Sequence, residues 1–227
     1  MVNINTLGDT SFAGATPETM KTLLDAHYAG DLSIYDYWGI EDERLVSMGG
    51  DISQVVQMVI TDREFYLLEN GKPAAFVVDQ KNVLKDIRRP MNEKLTNRGG
   101  WAKCDMRTWC NREYANAFPK DIEGLFKLFY TEGKIVDQFA LHSEYEIFGE
   151  IEYSREEEAE GSRQLEYYKK TRNRIKCYGD DYGNARWYWE RSPYSGTTNY
   201  FCAVGTAGYA SYSTATNPYG IAPFGCL

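Results

Sequence analysis

The sequence predicts an α+β fold with short twisted antiparallel strands, two or more helices and much loop. Three observations support this fold class. A capped helical pattern lies near the N-terminus, and a second helical pattern lies near the middle of the chain. β-branched and aromatic runs, separated by glycine turns, occupy much of the remaining sequence. The 43% hydrophobic and 26% charged residues are ordinary for a globular protein of this length.

The elements of the N-terminal half follow from local signals. Thr16 can cap a helix, Pro17 suits the first helical position, and Gly30 ends the helix. Asn70-Gly71 is typical of a type I′ hairpin turn, with a return strand over 74–78. Residues 79–100 are polar and are predicted to form a loop. The remaining predicted strands of this half cover residues 34–38, 44–48, 52–61 and 64–68.

The second half begins with helices and then becomes β-rich. An apolar stripe predicts a helix over 103–117, and Pro119 begins a second short helix. A strand is expected over 138–142. Ser143 should then cap a helical turn, with Glu146 at the reciprocal position of a capping box. The charge-dense residues 152–174 indicate a solvated surface, and turn-punctuated strands follow after residue 179.

The overall charge excludes some function classes. The net charge of −8 and the lack of a concentrated basic block argue against a nucleic-acid partner. No apolar run approaches the ~20 residues of a membrane-spanning helix, so no membrane insertion is expected. The N-terminus lacks the pattern of a signal peptide. Five cysteines without a C-x-x-C pair predict reduced thiols, although a Cys202–Cys226 bridge stays open.

The C-terminal segment has an unusual composition. Its last 36 residues, 192–227, carry no charged side chain, and 21 of them are Tyr, Thr, Gly, Ser or Asn. Tyrosine offers a large amphipathic contact area, while the small polar residues offer adaptable hydrogen bonds, as in antibody paratopes. The closing run 219–224 and the tryptophans Trp187 and Trp189 indicate that the segment is folded. This composition predicts a binding surface.

The sequence contains no recognisable catalytic or cofactor-binding constellation. His27 and His142 are interpreted as structural, and there is no glycine-rich phosphate loop. We therefore predict a protein that is not an enzyme and that uses no cofactor and no metal. One alternative is calcium binding, for which Asp180, Asp181, Asn184 and Glu190 could supply oxygen ligands without matching a known loop signature.

Several motifs in order resemble a known bacterial and phage domain family. They are Gly99-Gly100-Trp101, Met106 to Asn111, Phe139 to Leu141 with Ser143-Glu144, Trp187-x-Trp189-x-Arg191-Ser192-Pro193, and the closing run Gly220 to Cys226. The chain is similar, over about 35–227, to the C-type-lectin fold in its formylglycine-generating-enzyme-like form. It most resembles the variable proteins of diversity-generating retroelements, which include the phage major tropism determinant.

This resemblance implies a domain organisation and a function. Residues 1–34 would be an attachment segment with one helix, and 35–227 a ligand-binding domain with a variable region at about 186–227. The domain would bind a protein or glycan receptor on a host or neighbouring cell, as phage or prophage receptor-binding proteins determine host tropism. It would be made in the bacterial cytoplasm without a signal peptide, and would act at the virion tail tip or at the bacterial cell surface. By the same resemblance it would form a homotrimer.

The resemblance also assigns residues to the scaffold and to the binding surface. Trp187, Trp189, Arg191, Ile221 and Phe224 would be scaffold. The predicted ligand-binding residues are Tyr188, Glu190, Tyr194, Thr197, Thr198, Tyr200, Ala203, Gly205, Ala207, Tyr209, Ser211, Tyr212, Ser213, Thr216, Asn217 and Tyr219. Two alternatives stay open, a formylglycine-generating-type enzyme using Cys202 and Cys226, and a bacterial surface adhesin with a fixed ligand.

Overall fold

The computed structural model describes residues 6–179 and 182–227. It contains both helices and antiparallel sheets, so the α+β prediction is confirmed. The α-helices are α1 (Pro17–Ala29), α2 (Asp105–Trp109), α3 (Ala115–Ala117), α4 (Lys120–Glu123) and α5 (Glu144–Phe148). Short 3₁₀-helices cover Ile34–Asp36, Trp101–Lys103, Glu156–Ala159, Glu166–Lys169, Thr171–Arg174 and Tyr182–Asn184.

The strands form one large sheet and three small ones. In chain order they are β1 (Glu43–Ser47), β2 (Val55–Asp62), β3 (Val77–Gln80), β4 (Phe129–Glu132), β5 (Ile135–Asp137), β6 (Phe139–Ala140), β7 (Lys176–Cys177), β8 (Ala185–Arg186), β9 (Tyr188–Pro193), β10 (Tyr200–Val204), β11 (Ala210–Thr214) and β12 (Phe224–Cys226). The large sheet has the order β1-β2-β3-β12-β6, and every pair in it is antiparallel.

The small sheets complete the C-terminal half. A three-stranded antiparallel sheet has the order β11-β10-β9, and β4-β5 and β7-β8 are separate hairpin-like pairs. β9 is buried along almost its whole length, because both faces of the sheet are covered around it. This double coverage decides which side chains of the C-terminal segment reach the solvent.

The N-terminal helix forms as its capping signals predict. The Thr16 hydroxyl accepts a hydrogen bond from the Thr19 backbone N–H, and Gly30 ends the helix at φ 81°, a left-handed conformation that favours glycine. Leu23 and Leu24 on this helix are buried in the same core as the sheets. The α1 helix thus packs against the rest of the chain. The predicted role of residues 1–34 as an attachment segment stays a prediction.

The helices α2 and α3 belong to one longer helix, which we call the middle helix. Between α2 and α3 the chain makes a π-helical turn over Cys110–Tyr114, so residues 105–117 form one almost continuous helix, close to the predicted 103–117. Ser143 forms the predicted capping box with Glu146, which accepts a hydrogen bond from the Ser143 N–H at 2.8 Å. This box fixes α5 beside β9.

Three predicted elements of the N-terminal half are wrong. Residues 34–38 form the 3₁₀-helix Ile34–Asp36 instead of a strand, because Trp38 turns inward and donates its indole N–H to the Thr10 carbonyl at 2.8 Å. Residues 64–68 make only isolated bridges at Leu67 and Leu68. The turn at Asn70-Gly71 is not type I′, since only Gly71 has a positive φ.

One core joins the large sheet, α1, the middle helix and the closing strand. Phe76, Phe139 and Phe224 are among its fully buried side chains. Among the residues described, no helix is long and apolar enough to cross a membrane.

Candidate functional site

Four tyrosines gather at the open side of the three-stranded sheet, and we call them the tyrosine face: Tyr153, Tyr194, Tyr200 and Tyr212. The rings of Tyr194 and Tyr212 stack with centroids 4.3 Å apart and an interplanar angle of 15°. Tyr200 lies 5.6 Å from Tyr212 at 17°, and Tyr153 meets Tyr212 edge-on at 4.9 Å. Tyr212 is 38% exposed and the others are half-buried, so the rings offer accessible edges and faces.

Register explains why these rings meet. Tyr200 begins β10, and Tyr212 on β11 stands directly opposite Cys202, two residues further along β10. Side chains two residues apart on a strand share a face, so Tyr200 and Tyr212 point to the same side. Tyr194 follows β9 and reaches the same side from the sheet's other edge. Three consecutive strands thus build one aromatic surface.

A buried asparagine fixes the loop that carries this surface. The Asn97 amide donates to the carbonyls of Tyr200 at 2.7 Å and Thr197 at 2.9 Å, and its backbone N–H donates to the Thr198 carbonyl at 2.6 Å. Residues 195–199 are otherwise exposed. Asn97 therefore holds the exposed loop in one conformation. It lies in a polar stretch predicted as a plain loop, and nothing in the sequence singled it out.

A buried carboxylate fixes the fourth ring. Glu144, 1% exposed, accepts hydrogen bonds from the backbone N–H of Tyr153 at 3.0 Å and of Ser154 at 2.7 Å. Ser195 adds two bonds to the Tyr153 carbonyl, from its N–H at 2.9 Å and its hydroxyl at 2.8 Å. In the sequence, Glu144 stands out only as part of a family resemblance. Tyr153 lies outside the charge-free segment and has no distinguishing local pattern.

The structure divides the sixteen predicted binding residues into three groups by exposure. Exposed are Thr197, Thr198, Ala207, Tyr209, Tyr212 and Thr216. Half-buried are Tyr194, Tyr200, Ser211, Ser213, Asn217 and Tyr219. Buried are Tyr188, Glu190, Ala203 and Gly205.

The prediction that the last group lies on the exposed surface is wrong. Strict alternation along β9 would place Tyr188 and Glu190 outward, but both faces of this strand are covered. Ala203 pairs with the buried Trp189 across β9 and β10, and Gly205 lies beneath the Tyr209 ring.

The tyrosines of the charge-free segment do not all share one surface. They are Tyr194, Tyr200, Tyr209, Tyr212 and Tyr219. Tyr219 packs against Trp189 at 4.9 Å and Trp187 at 5.4 Å, and its hydroxyl accepts a hydrogen bond from Ser213 at 3.1 Å. Ser213 follows Tyr212 on β11, and successive side chains of a strand point to opposite faces. Tyr219 and its neighbour Trp187 therefore lie across the sheet from the tyrosine face. Trp187 is half-buried, less enclosed than its scaffold role implied.

A carboxyl group lies in the interior behind this sheet. Glu190 is 0% exposed, and neither of its oxygens has a hydrogen-bond partner. Burial raises the pKa of Glu190 well above its usual range, and the nearby carboxylates Glu144 and Glu158 raise it further. The folded state therefore disfavours the ionised form of Glu190, and this buried side chain belongs to the scaffold.

We expect Glu190→Gln to stabilise the protein at high pH. A carboxyl whose pKa is raised by folding opposes the folded state once pH exceeds its unfolded value of ~4.3, and glutamine does not titrate. At pH 8 the variant should gain at least about 1 kcal/mol in the free energy of unfolding, since one pKa unit is ~1.4 kcal/mol. Urea unfolding at pH 8 and pH 4 measures this gain.

The control Glu156→Gln, at an exposed site, should leave the free energy of unfolding unchanged. Equal stability of wild type and Glu190→Gln at pH 8 would refute this role.

The two thiols proposed for an enzyme are placed apart. All five cysteines are free and buried, so the Cys202–Cys226 bridge is not formed. Cys202 lies in the three-stranded sheet and Cys226 in the five-stranded sheet. Burial raises the pKa of both thiols well above the ordinary value, and a protonated thiol is a weak nucleophile. This environment suits structural cysteines.

His142 is buried in the core, only 4% exposed. Its ring lies 4.0 Å from Phe224 in a parallel stack, and Nε2 is 2.9 Å from each oxygen of Asp79. Burial alone would lower the pKa of His142, but Asp79 and Glu146 raise it overall. Asp79 also accepts hydrogen bonds from the hydroxyls of Thr61 and Tyr168, so the group is fully engaged in the core.

Three of the four residues offered for calcium binding lie outside the described residues or in the interior. Asp180 and Asp181 lie outside the described residues, and Glu190 is buried. Within 6–179 and 182–227, no group of three or more His, Cys, Asp or Glu side chains is placed to hold a metal ion.

Comparison with known proteins gives one match. A family described as "Domain of unknown function (DUF6273)" matches residues 74–227. This range starts just before β3 and includes the middle helix and all four members of the tyrosine face. No curated protein and no solved structure matches the chain.

Proposed function

The chain belongs to the DUF6273 family, and within it we propose a non-enzymatic protein that binds a receptor through the tyrosine face. The stacked rings of Tyr194, Tyr200 and Tyr212 carry this proposal. They expose a contiguous amphipathic surface, and the segment that carries these three rings has no charged side chain, so covering it with a partner removes none of its own groups as ions from water. Binding hot spots are enriched in tyrosine.

The rigidity of the surface supports the same function. The clamps at Asn97 and Glu144 hold the loop and the fourth ring before any partner arrives. A surface that is already ordered loses less conformational entropy when it binds. The exposed Thr197 and Thr198 beside the rings add hydroxyl groups for adaptable hydrogen bonds.

The finer identity rests on the resemblance seen in the sequence. We propose the C-type-lectin fold in its formylglycine-generating-enzyme-like form, with residues of the 186–227 region diversified by a retroelement. The partner would then be a protein or glycan on a host cell, and the protein a phage or prophage tail-tip component. A reverse-transcriptase gene and a near-copy of the 3′ coding end must lie beside this gene. Their absence would leave a fixed-ligand adhesin as the better description.

We expect the triple variant Tyr194→Ser, Tyr200→Ser, Tyr212→Ser to lose binding while staying folded. Loss of several hot-spot tyrosines should weaken binding at least about tenfold, because each truncation of this kind costs about 1–2 kcal/mol or more. The labelled protein would be tested on a panel of bacterial cells and on a glycan array. Thermal melting should fall by only a few degrees, since an aromatic pair adds about 0.5–1.5 kcal/mol.

The matched control is Tyr145→Ser, a half-buried tyrosine on α5 outside the tyrosine face. It should retain full binding. Undiminished binding by the triple variant, with a signal present for wild type, would remove the tyrosine face from the interaction.

A further inference from the structure

A cleft of about 690 Å³ lies near the tyrosine face, next to the β4–β5 hairpin. Tyr153 belongs to the face, and Arg155, two residues further on, already lines the cleft. Five glutamates line it: Glu132, Glu146, Glu157, Glu158 and Glu160. The cleft is therefore close to the proposed receptor surface but built from different side chains.

Only two positive groups balance these acids. Arg191 donates to both oxygens of Glu146, each at 2.6 Å, and its Nε also donates to Glu132 at 3.2 Å, so its single positive charge is shared between two carboxylates. Arg155 lies at the cleft and is exposed to solvent. Five glutamates against two arginines leave the cleft with an excess of negative charge, and a cleft with charge of one sign concentrates the opposite ion.

The floor of the cleft holds an unpartnered polar group. The hydroxyl of Tyr66 is buried and makes no hydrogen bond of normal geometry, although Tyr66 lines the cleft. Burial and the nearby Glu146 carboxylate raise the pKa of Tyr66 well above its usual range. Its ring is fixed between Phe129 at 5.1 Å and Phe224 at 5.0 Å, so the hydroxyl has little freedom to find another partner. A buried hydroxyl without a partner is unfavourable, and a ligand that donates a hydrogen bond here would relieve this.

Glu158 adds a second group whose environment favours a cation. It is half-buried and accepts a hydrogen bond from the Ser192 hydroxyl. Burial raises the pKa of Glu158 to about 7, and Glu132 and Glu146 also raise it, whereas Ser192 and Arg191 act in the opposite direction. Glu158 in turn raises the pKa of the buried Glu190. A bound cation would favour the ionised form of Glu158.

We propose that this cleft binds an alkylammonium group, as carried by a lysine side chain or a polyamine. An ammonium group has three hydrogen-bond donors and one positive charge, which suits several carboxylates and the Tyr66 hydroxyl. Phe65, Leu67 and Tyr130 also line the cleft and give an apolar wall for the alkyl chain. The proposal stands apart from receptor binding and does not depend on it.

The test is titration calorimetry on the full chain with two probes, spermidine and Nα-acetyl-lysine methylamide. At least one probe should bind, and binding should be tighter at pH 8 than at pH 6, because Glu158 ionises between them. Glu132→Gln with Glu158→Gln should weaken binding at least about tenfold, by removing two charge-assisted contacts of the cleft. Tyr66→Phe should weaken it by a smaller factor. Binding of one probe alone would identify the source of the ammonium group.

The matched control is Glu156→Gln, which removes an exposed glutamate of the same 3₁₀-helix that does not line the cleft. Its affinity should stay within about twofold of wild type, and circular dichroism and melting curves should show that all variants fold. No heat of binding for either probe, or an equal loss in Glu156→Gln, would overturn the proposal.

Discussion

Replacing Arg191 by alanine should lower the free energy of unfolding by about 3–5 kcal/mol, the usual loss when one partner of a buried ion pair is removed. Arg191 is 4% exposed and makes the bidentate pair with Glu146, and it also donates to the Leu141 carbonyl at 2.9 Å. Without it, the buried Glu146 carboxylate would lose its guanidinium partner and keep the Ser143 N–H at 2.8 Å and the His142 ring nitrogen at 3.4 Å as polar neighbours.

The pH dependence of this loss has a definite sign. Burial disfavours the ionised Glu146, but Arg191 and His142 hold its pKa well below the usual range. A depressed carboxyl pKa adds stability above the unfolded value of ~4.3, and this stability is lost as pH falls. The gap between wild type and Arg191→Ala should thus be wide at pH 7 and narrower in acid. Urea unfolding at both pH values measures it, with the exposed Arg98→Ala as control. A loss below 1 kcal/mol at pH 7 would contradict the assignment.

Trp189→Ala should lower the free energy of unfolding by about 3–5 kcal/mol, as for other buried tryptophans. Trp189 is 1% exposed, packs on Tyr219, and donates its indole N–H to the Arg89 carbonyl at 2.8 Å. Its truncation would leave both a cavity and an unpaired carbonyl. Melting temperature and urea midpoint should both fall clearly.

Trp187→Ala is the internal comparison, because Trp187 lies two residues away but is only half-buried. Its loss should be about 1–2 kcal/mol, since less of the ring leaves water on folding. From the sequence, both tryptophans were assigned to the scaffold without a distinction between them. Equal losses of unfolding free energy in Trp187→Ala and Trp189→Ala would show that the difference in burial does not determine how much each tryptophan stabilises the fold.

Local chemistry made part of the fold predictable. The Thr16 cap, the Gly30 terminus and the Ser143 capping box depend on hydrogen bonds between near neighbours, so the sequence contains the full signal. The strand prediction for residues 34–38 was wrong, because burial of Trp38 overrode the strand propensity of the aromatic residues. The Trp38 indole binds a backbone carbonyl that is distant in sequence. Contacts of that kind leave no local pattern.

The candidate site was predictable only in composition. The composition of the uncharged segment drew attention to Tyr194, Tyr200 and Tyr212, and the structure brings their rings together. Exposure was harder to predict, because alternation assumes that one face of a strand is solvated, whereas both faces of β9 are covered. Asn97 and Tyr153 join the site from remote parts of the sequence, and only the folded chain shows their role.

The position of β12 between β3 and β6 has a consequence for the order of folding. Phe224 pairs with Asp79, 145 residues earlier, so the large sheet cannot close until the entire charge-free segment has been synthesised. Pairings of such high contact order form slowly. The segment between β9 and β12, which contains β10 and β11, is thus anchored in the core at both ends. Substitutions at its exposed positions change neither its length nor these anchors, so its surface chemistry can change while the strands that hold it stay in place.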